Sequence, residues 1–400
     1  MVTLQWRNSR HGDALIEKTE RADVFASTSR EGYVSGLDGL RGLAALYVVL
    51  FHCSLLSFSG FPERSGPGWL GWLMYGRLAV VFFLVLSGFS LALSAAQSDW
   101  RLTGVWTYLQ RRAWRILPPY WSALGLSIVV ALYVVPASHL GPPTGKSIIV
   151  YGFILQDILK APTPNGSFWS IGVEVELYLF FPFFLLVRRV CGPSGLVVVS
   201  AVLIFVAVLI AGGVSPAEGM NGLTLNLAPV FLAGLLGAGI VRASGKVRRL
   251  PWHWFSAFAA APVLLLIVSK GSVWTVDHYF WIDLAVAPAM ALLLVAITAG
   301  KPFYLVRVLV MRPIRVLGEY SYSLYLIHLP IVMIATRVIA PRWVSPGLPT
   351  FATALVVGVP GSLLCSWLFS TVFEVPFRRR RSWKSVLASI QTAVGDGRRD

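Results

Sequence analysis

Polar residues fill the first 36 positions, and from position 37 the pattern turns to long apolar runs broken by short basic, glycine- or proline-containing punctuation. Each run approaches the roughly 20 residues that a helix needs to cross a hydrocarbon core about 30 Å thick. The pattern predicts ten membrane-spanning helices, over 39–58, 78–96, 116–135, 168–187, 194–212, 225–241, 253–270, 279–299, 319–340 and 350–373. A further apolar stretch, 147–160 (SIIVYGFILQDILK), is short and carries Asp157 and Lys160, so it reads as a re-entrant or interfacial segment. The expected fold is all-α, a polytopic transmembrane helix bundle.

Residues 1–36 hold five basic and five acidic side chains and no apolar run, so they read as a cytoplasmic segment without a signal peptide. The expected layout is this segment, a membrane domain over 37–376 and a basic cytoplasmic tail over 377–400. Composition narrows the class. The chain is 56% hydrophobic and 13% charged, where a soluble protein is about 25% charged. A water-soluble enzyme, a disordered chain and a nucleic-acid binder are all excluded. The net charge of +16 has a topological origin. With the N-terminus inside, nineteen basic residues fall in predicted inner loops, among them Arg101, Arg111, Arg112, Arg115, Arg315 and Arg378, against about seven outside. Both termini are then cytoplasmic, and the protein belongs in the cell membrane. Cys53, Cys191 and Cys365 are too few and too scattered for a disulfide framework or a zinc site.

Charges at bilayer depth are costly, which makes each one a functional candidate. Arg41 and His52 are 11 residues apart. At 100° per residue they share one helix face, about 16 Å apart along the axis. Taken singly, Arg41 also reads as a snorkelling anchor and His52 as a core histidine bonded to a carbonyl. Glu174 falls about six residues from the outer end of its span, as His52 does. A carboxylate beside an imidazole raises its basicity and orients its tautomer. Glu176 points about 200° away from Glu174 and reads as an interfacial charge. Arg112 and Arg115, at i and i+3, suit the phosphates of an anionic ligand, or serve as ordinary inner-side charge. In GEYSYSLYLIH (318–328), His328 either lines an acceptor path or ties helices together. Small residues in 81–96 and 233–239 suit close helix packing. No phosphate loop, paired-cysteine spacing or His-Glu-x-x-His appears, so no metal is expected.

These motifs resemble the acyltransferase-3 family of multi-pass membrane O-acyltransferases, which modify polysaccharide sugars, Nod factors and macrolides. The resemblance is carried by LDGLRGLAALYVVLFH (37–52), VFFLVLSGFSLALS (81–94), RRAWRILPPYW (111–121), FWSIGVEVELYLFFP (168–182), LGEYSYSLYLIHLPI (317–331) and FEVPFR (373–378). It implies that Arg41 and His52 are the family's essential pair, that Arg112 and Arg115 are its Arg-x-x-Arg element, and that Trp169, Ser170 and Glu174 belong to its Trp-Ser-x-x-Val-Glu element. Val175 stands where relatives carry a second glutamate, with Glu176 after it. The chain ends about 27 residues past the last predicted span, which implies the stand-alone form without a C-terminal esterase-like domain.

The expected activity is transfer of an acyl group, acetyl above all, from cytosolic acyl-CoA to a hydroxyl. Arg41, Arg112 and Arg115, aided by Arg315, would bind the donor phosphates, and His52, oriented by Glu174, would act as general base. The bilayer, the acyl-CoA donor and a carbohydrate, glycolipid or small macrolide-like acceptor are the expected partners; nucleic acid is not. The alternative is a sugar or lipid transporter that uses His52 and Glu174 as a proton relay. The lack of an internal repeat weakens it.

Overall fold

The computed structural model describes residues 36–63, 66–135, 141–211, 225–243 and 245–380. The predicted N-terminal segment up to residue 35 and the tail beyond residue 380 lie outside them. The described residues form helices, tight turns and short loops, with no strand among them. Eleven helices organise the fold: α1 (Leu37–Ser57), α2 (Arg77–Ala95), α3 (Val105–Tyr133), α4 (Gly145–Gly152), α5 (Trp169–Ala211), α6 (Ala228–Val241), α7 (Trp252–Asp277), α8 (Tyr279–Thr298), α9 (Arg312–Glu319), α10 (Ser321–Arg342) and α11 (Leu348–Arg378).

Among the described residues, eight helices are long and apolar enough to cross a membrane. The ten predicted stretches reduce to eight for two local reasons. Gly192 has φ 70 and ψ −165, inside the left-handed region that glycine tolerates, and Pro193 follows it. The two predicted spans 168–187 and 194–212 therefore become two arms of α5, bent at Gly192. α6 has only 14 residues, about 21 Å of helix. It does not face lipid along its length: α2, α5 and α8 pack around it.

Two predicted boundaries move. The span expected at 116–135 is the upper part of α3, which begins at Val105. Arg111, Arg112 and Arg115 thus lie on helix and not in a loop. The stretch 147–160 resolves into α4, capped by reciprocal Thr144 and Ser147 hydrogen bonds, then a turn leading to α5. α4 leans on α3, where Tyr120 Oη donates to the Tyr151 carbonyl at 2.8 Å and Trp121 Nε1 to that of Gly152 at 2.9 Å.

Helices are locked where small residues let backbones touch. A Cβ on Gly234 would lie 2.0 Å from the Val85 carbonyl oxygen, and one on Gly88 2.1 Å from that of Phe231. The small residues noted in both segments are thus the contact between α2 and α6. Gly39 and Gly42 of α1 meet the backbones of Leu309 and Gly318 in the same way. Arg77 at the start of α2 donates through Nε and Nη2 to Asp283 of α8, both at 2.8 Å, and stacks on Trp169 and Tyr279. Asp283 is wholly buried.

We call the end that holds Arg41, Arg112 and Arg315 the basic end, and the opposite one the far end. Near the far end, Asp157 packs against Gly172 with its Oδ2 buried and unbonded. Burial pushes this carboxyl up to about 7, and the like charge of Glu176 adds to the rise.

Replacing Gly234 with Ala should lower the melting temperature in detergent by the equivalent of about 1–3 kcal/mol. Gly125, with open space around it, provides the control. Equal melting of G234A and G125A would remove the α2–α6 contact as a support. Asp157 binds its proton more tightly folded than unfolded, so its contribution falls as pH rises from about 4 to 7 and is gone above. Asp157→Asn should flatten the wild-type decline in melting temperature between pH 5 and pH 7.5. A variant that declines as steeply would exclude this carboxyl as the cause.

Candidate active site

A cavity of about 210 Å³ opens among α1, α2, α3, α5 and α10. Three guanidinium groups converge on it: Arg41, Arg112 and Arg115. Arg41 reaches it because Gly39 and Gly42 turn one face of α1 against neighbouring backbone, leaving Arg41 on another. Asp38 accepts a hydrogen bond from Arg41 Nη1 at 2.6 Å. Arg112 lies over the rings of Tyr108 and Tyr178, at 5.9 and 5.8 Å, and its Nε is buried with no hydrogen-bond partner. No ion pair between a carboxylate and Arg112 or Arg115 occurs among the described residues.

Glu174 lines the same cavity. It accepts from Ser87 Oγ at 3.0 Å and from Tyr178 Oη in a short contact. The structure therefore brings Arg41, Arg112, Arg115 and Glu174 together. Arg315 does not line the cavity; it stands on α9 in an exposed pair with Glu319 at 3.8 Å.

His52 is elsewhere. It lies beyond the cavity, partly exposed, and its Nδ1 approaches the Val48 carbonyl at 2.9 Å and His328 Nε2 at 3.1 Å. The expected orientation of His52 by Glu174 is not what the structure holds. Counting residues from helix ends gives equal depth only if α5 begins at the surface. It begins inside the bundle. Asn165, just before it, is buried and donates to Ser127 Oγ and the Leu326 carbonyl, at 3.2 and 3.0 Å. From there Ser170 meets Tyr325 of α10, Glu174 lies one turn nearer the basic end, and His328 one turn nearer the far end. Two turns, about 10 Å, separate the levels of Glu174 and His52.

The partners fix the protons on the histidine pair. His328 Nδ1 faces only acceptors, the Leu324 and Tyr325 carbonyls at 3.0 and 2.8 Å, so it carries hydrogen and its Nε2 accepts. His52 Nδ1 then donates, shared between the Val48 carbonyl and His328. The arrangement is satisfied with both rings neutral, and it leaves the lone pair on His52 Nε2. His328 is fully buried.

Tyr325 stands between the cavity and the histidines. It lines the cavity, its ring centroid is 5.9 Å from that of His328, and its hydroxyl bonds Ser170 Oγ at 2.6 Å and the Ser167 carbonyl at 3.1 Å. Phe83 meets it edge-on at 5.8 Å. Sequence reasoning marked the run around Tyr325 but gave it no role, and missed Ser87 and Tyr178. Tyr178 was within reach, being four residues from Glu174 on one helical face; Ser87 was not, since nothing local links it to α5.

Comparison with known proteins gives the family of the chain. The family model described as "Acyltransferase domain" matches residues 34–371. The acyltransferase MdmB of Streptomyces mycarofaciens is 27% identical over 374 residues, 86% of this chain and 91% of the relative. The peptidoglycan O-acetyltransferase OatA of Listeria monocytogenes is 25% identical over 337 residues, 77% of this chain and 50% of the relative. The O-acetyltransferase OatA of Staphylococcus aureus is 23% identical over 376 residues, 87% and 58%. The chain spans about half the length of the peptidoglycan-type relatives that it matches. No solved structure gives a significant match.

Proposed function

The chain belongs to the acyltransferase-3 family, and from that premise we propose that it transfers an acetyl group from cytosolic acetyl-CoA to an acceptor hydroxyl. It is an acyltransferase, and relatives named as O-acetyltransferases support oxygen as the acceptor atom. The acceptor class we favour is a carbohydrate, a glycolipid or a small macrolide-like molecule. The working site is the cell membrane, with the basic end towards the cytosol.

The observation that carries this reading is three arginines on one cavity, with a hydrogen-bonded histidine pair beyond it. Arg41, Arg112 and Arg115 would hold the donor phosphates, since guanidinium binds phosphate bidentately. Glu174, fixed by Ser87 and Tyr178, would offset part of the positive charge that these groups place in one low-dielectric space. The pantetheine arm would extend past Tyr325, and the roughly 16 Å between Arg41 and His52 sets its reach. At His52, Nε2 would take the hydroxyl proton as the oxygen attacks the thioester carbonyl. The C–S bond would break, and the leaving thiolate would take the proton back from Nε2. His328 would keep the Nδ1 hydrogen of His52 in place and steady the imidazolium that forms.

His52→Ala should reduce transfer of labelled acetyl from acetyl-CoA by at least about 100-fold, while the protein remains in the membrane fraction. Near-normal transfer would end the assignment of His52. His328→Gln, which keeps an acceptor, should retain more kcat than His328→Leu, at a similar KM for donor. Equal kcat in the two variants would take the orienting role from His328. If wild-type protein leaves the thioester intact while moving solute across a vesicle membrane, the transporter alternative would replace the enzyme.

A further inference from the structure

A second cavity, of about 120 Å³, lies beyond the first towards the basic end, between the end of α2 and the first turns of α3. The two share Leu91 and Arg112. Ser87 and Ser90 line the first, and Ser94 and Ser98 line the second. Spaced by three or four residues, these serines fall along one side of α2 and its short continuation, over about 16 Å. The two cavities are thus successive segments of one hydroxyl-lined groove.

The second segment is strongly basic. Arg101 and Arg111 border it beside Arg112, no acidic side chain lines it, and neither Arg101 nor Arg111 has an ion-pair partner among the described residues. At the junction the buried Arg112 Nε has no acceptor. A buried donor left unpaired is costly, so the junction is built for an acceptor that arrives with a ligand.

We propose that this second cavity binds the ribose 3′-phosphate of the donor. The inference rests on the reading of acyl-CoA as donor. Coenzyme A carries phosphate at two places, a diphosphate next to pantetheine and a monophosphate on the ribose. The pantetheine end must point towards His52, so the diphosphate trails it at Arg41, Arg112 and Arg115. The ribose end is then left at the basic end, where Arg101 and Arg111 bracket a polar hollow of phosphate size. The hydroxyls of Ser94, Ser98 and Thr107 supply further donors to phosphate oxygens.

The test is equilibrium binding of CoA and of 3′-dephospho-CoA to the full chain in vesicles of neutral phosphatidylcholine. Wild-type protein should bind CoA at least about tenfold more tightly than the dephospho form. Arg101→Ala and Arg111→Ala should each weaken CoA binding about tenfold, the loss of one charge-assisted hydrogen bond, and leave dephospho-CoA binding near the wild-type value. Equal weakening for both ligands would overturn the subsite, because the arginines would then act on charge in general. Discrimination seen only after anionic phospholipid is added would assign the cavity to a lipid headgroup and overturn it too. Failure of wild-type protein to bind either ligand would overturn the donor reading itself, and the subsite with it.

Discussion

The backbone contact of α2 with α6 at Gly88 and Gly234 is the constraint from which the rest of the structure follows. Inside hydrocarbon there is no hydrophobic force to drive helices together, so close packing and polar contacts between helices hold the bundle. α2 supplies one wall of both cavities, through Phe83, Ser87, Leu91 and Ser94. A displacement of this helix by the width of a methyl group would break the 3.0 Å bond from Ser87 to Glu174. Two attachments prevent it. The glycine contacts hold the middle of α2, and the Arg77–Asp283 pair holds its start. α6 can be short for the same reason, since its partners are helices and not lipid.

The buried charges of the bundle divide by how fully they are met. Asp283 is paired with Arg77, and Glu374 accepts from Ser323 and Ser370 at 2.6 and 3.3 Å and lies 3.6 Å from Arg378. These groups tie helices together. Around the first cavity the balance differs: three guanidinium groups face one space, with Asp38 on Arg41 and Glu174 across the cavity. A charge withdrawn from water without a partner is expensive, so such a deficit persists in a folded protein where a ligand makes it good. Ion-paired carboxylates tie the scaffold, with Asp283 Oδ1 alone left buried without a partner, and the excess of guanidinium groups lies on the cavity.

How much of this was legible in the sequence depends on the range of each relation. The ten apolar stretches, and Arg41 with His52 on one face, follow from helical periodicity, which is local. The start of α3 was misplaced because RRAWR is polar, and apolar runs were the only guide to where that helix begins. Arg77 with Asp283, Ser87 with Glu174 and His52 with His328 join residues 87 to 276 positions apart, and no spacing rule reaches them. The error over Glu174 came from a single assumption, that each helix enters at the membrane surface. Asn165, buried and bonded to α3 and α10, starts α5 deep in the bundle and displaces every level counted from it.

That displacement alters the chemistry that the site can do. A carboxylate beside His52 would raise the basicity of its ring and add a negative charge at that level. His328 is a neutral acceptor, itself fixed by two backbone carbonyls, and it orients His52 without adding charge. Glu174, one turn on the cavity side of Tyr325, is left to the arginines. α1 carries the guanidinium of Arg41 near one end and the imidazole of His52 near the other, so a single helix sets the distance between them. α10 carries both Tyr325, which stands between the cavity and the histidines, and His328, which is bonded to His52. A shift of α10 relative to α1 would therefore move Tyr325 and loosen His328 from His52 together.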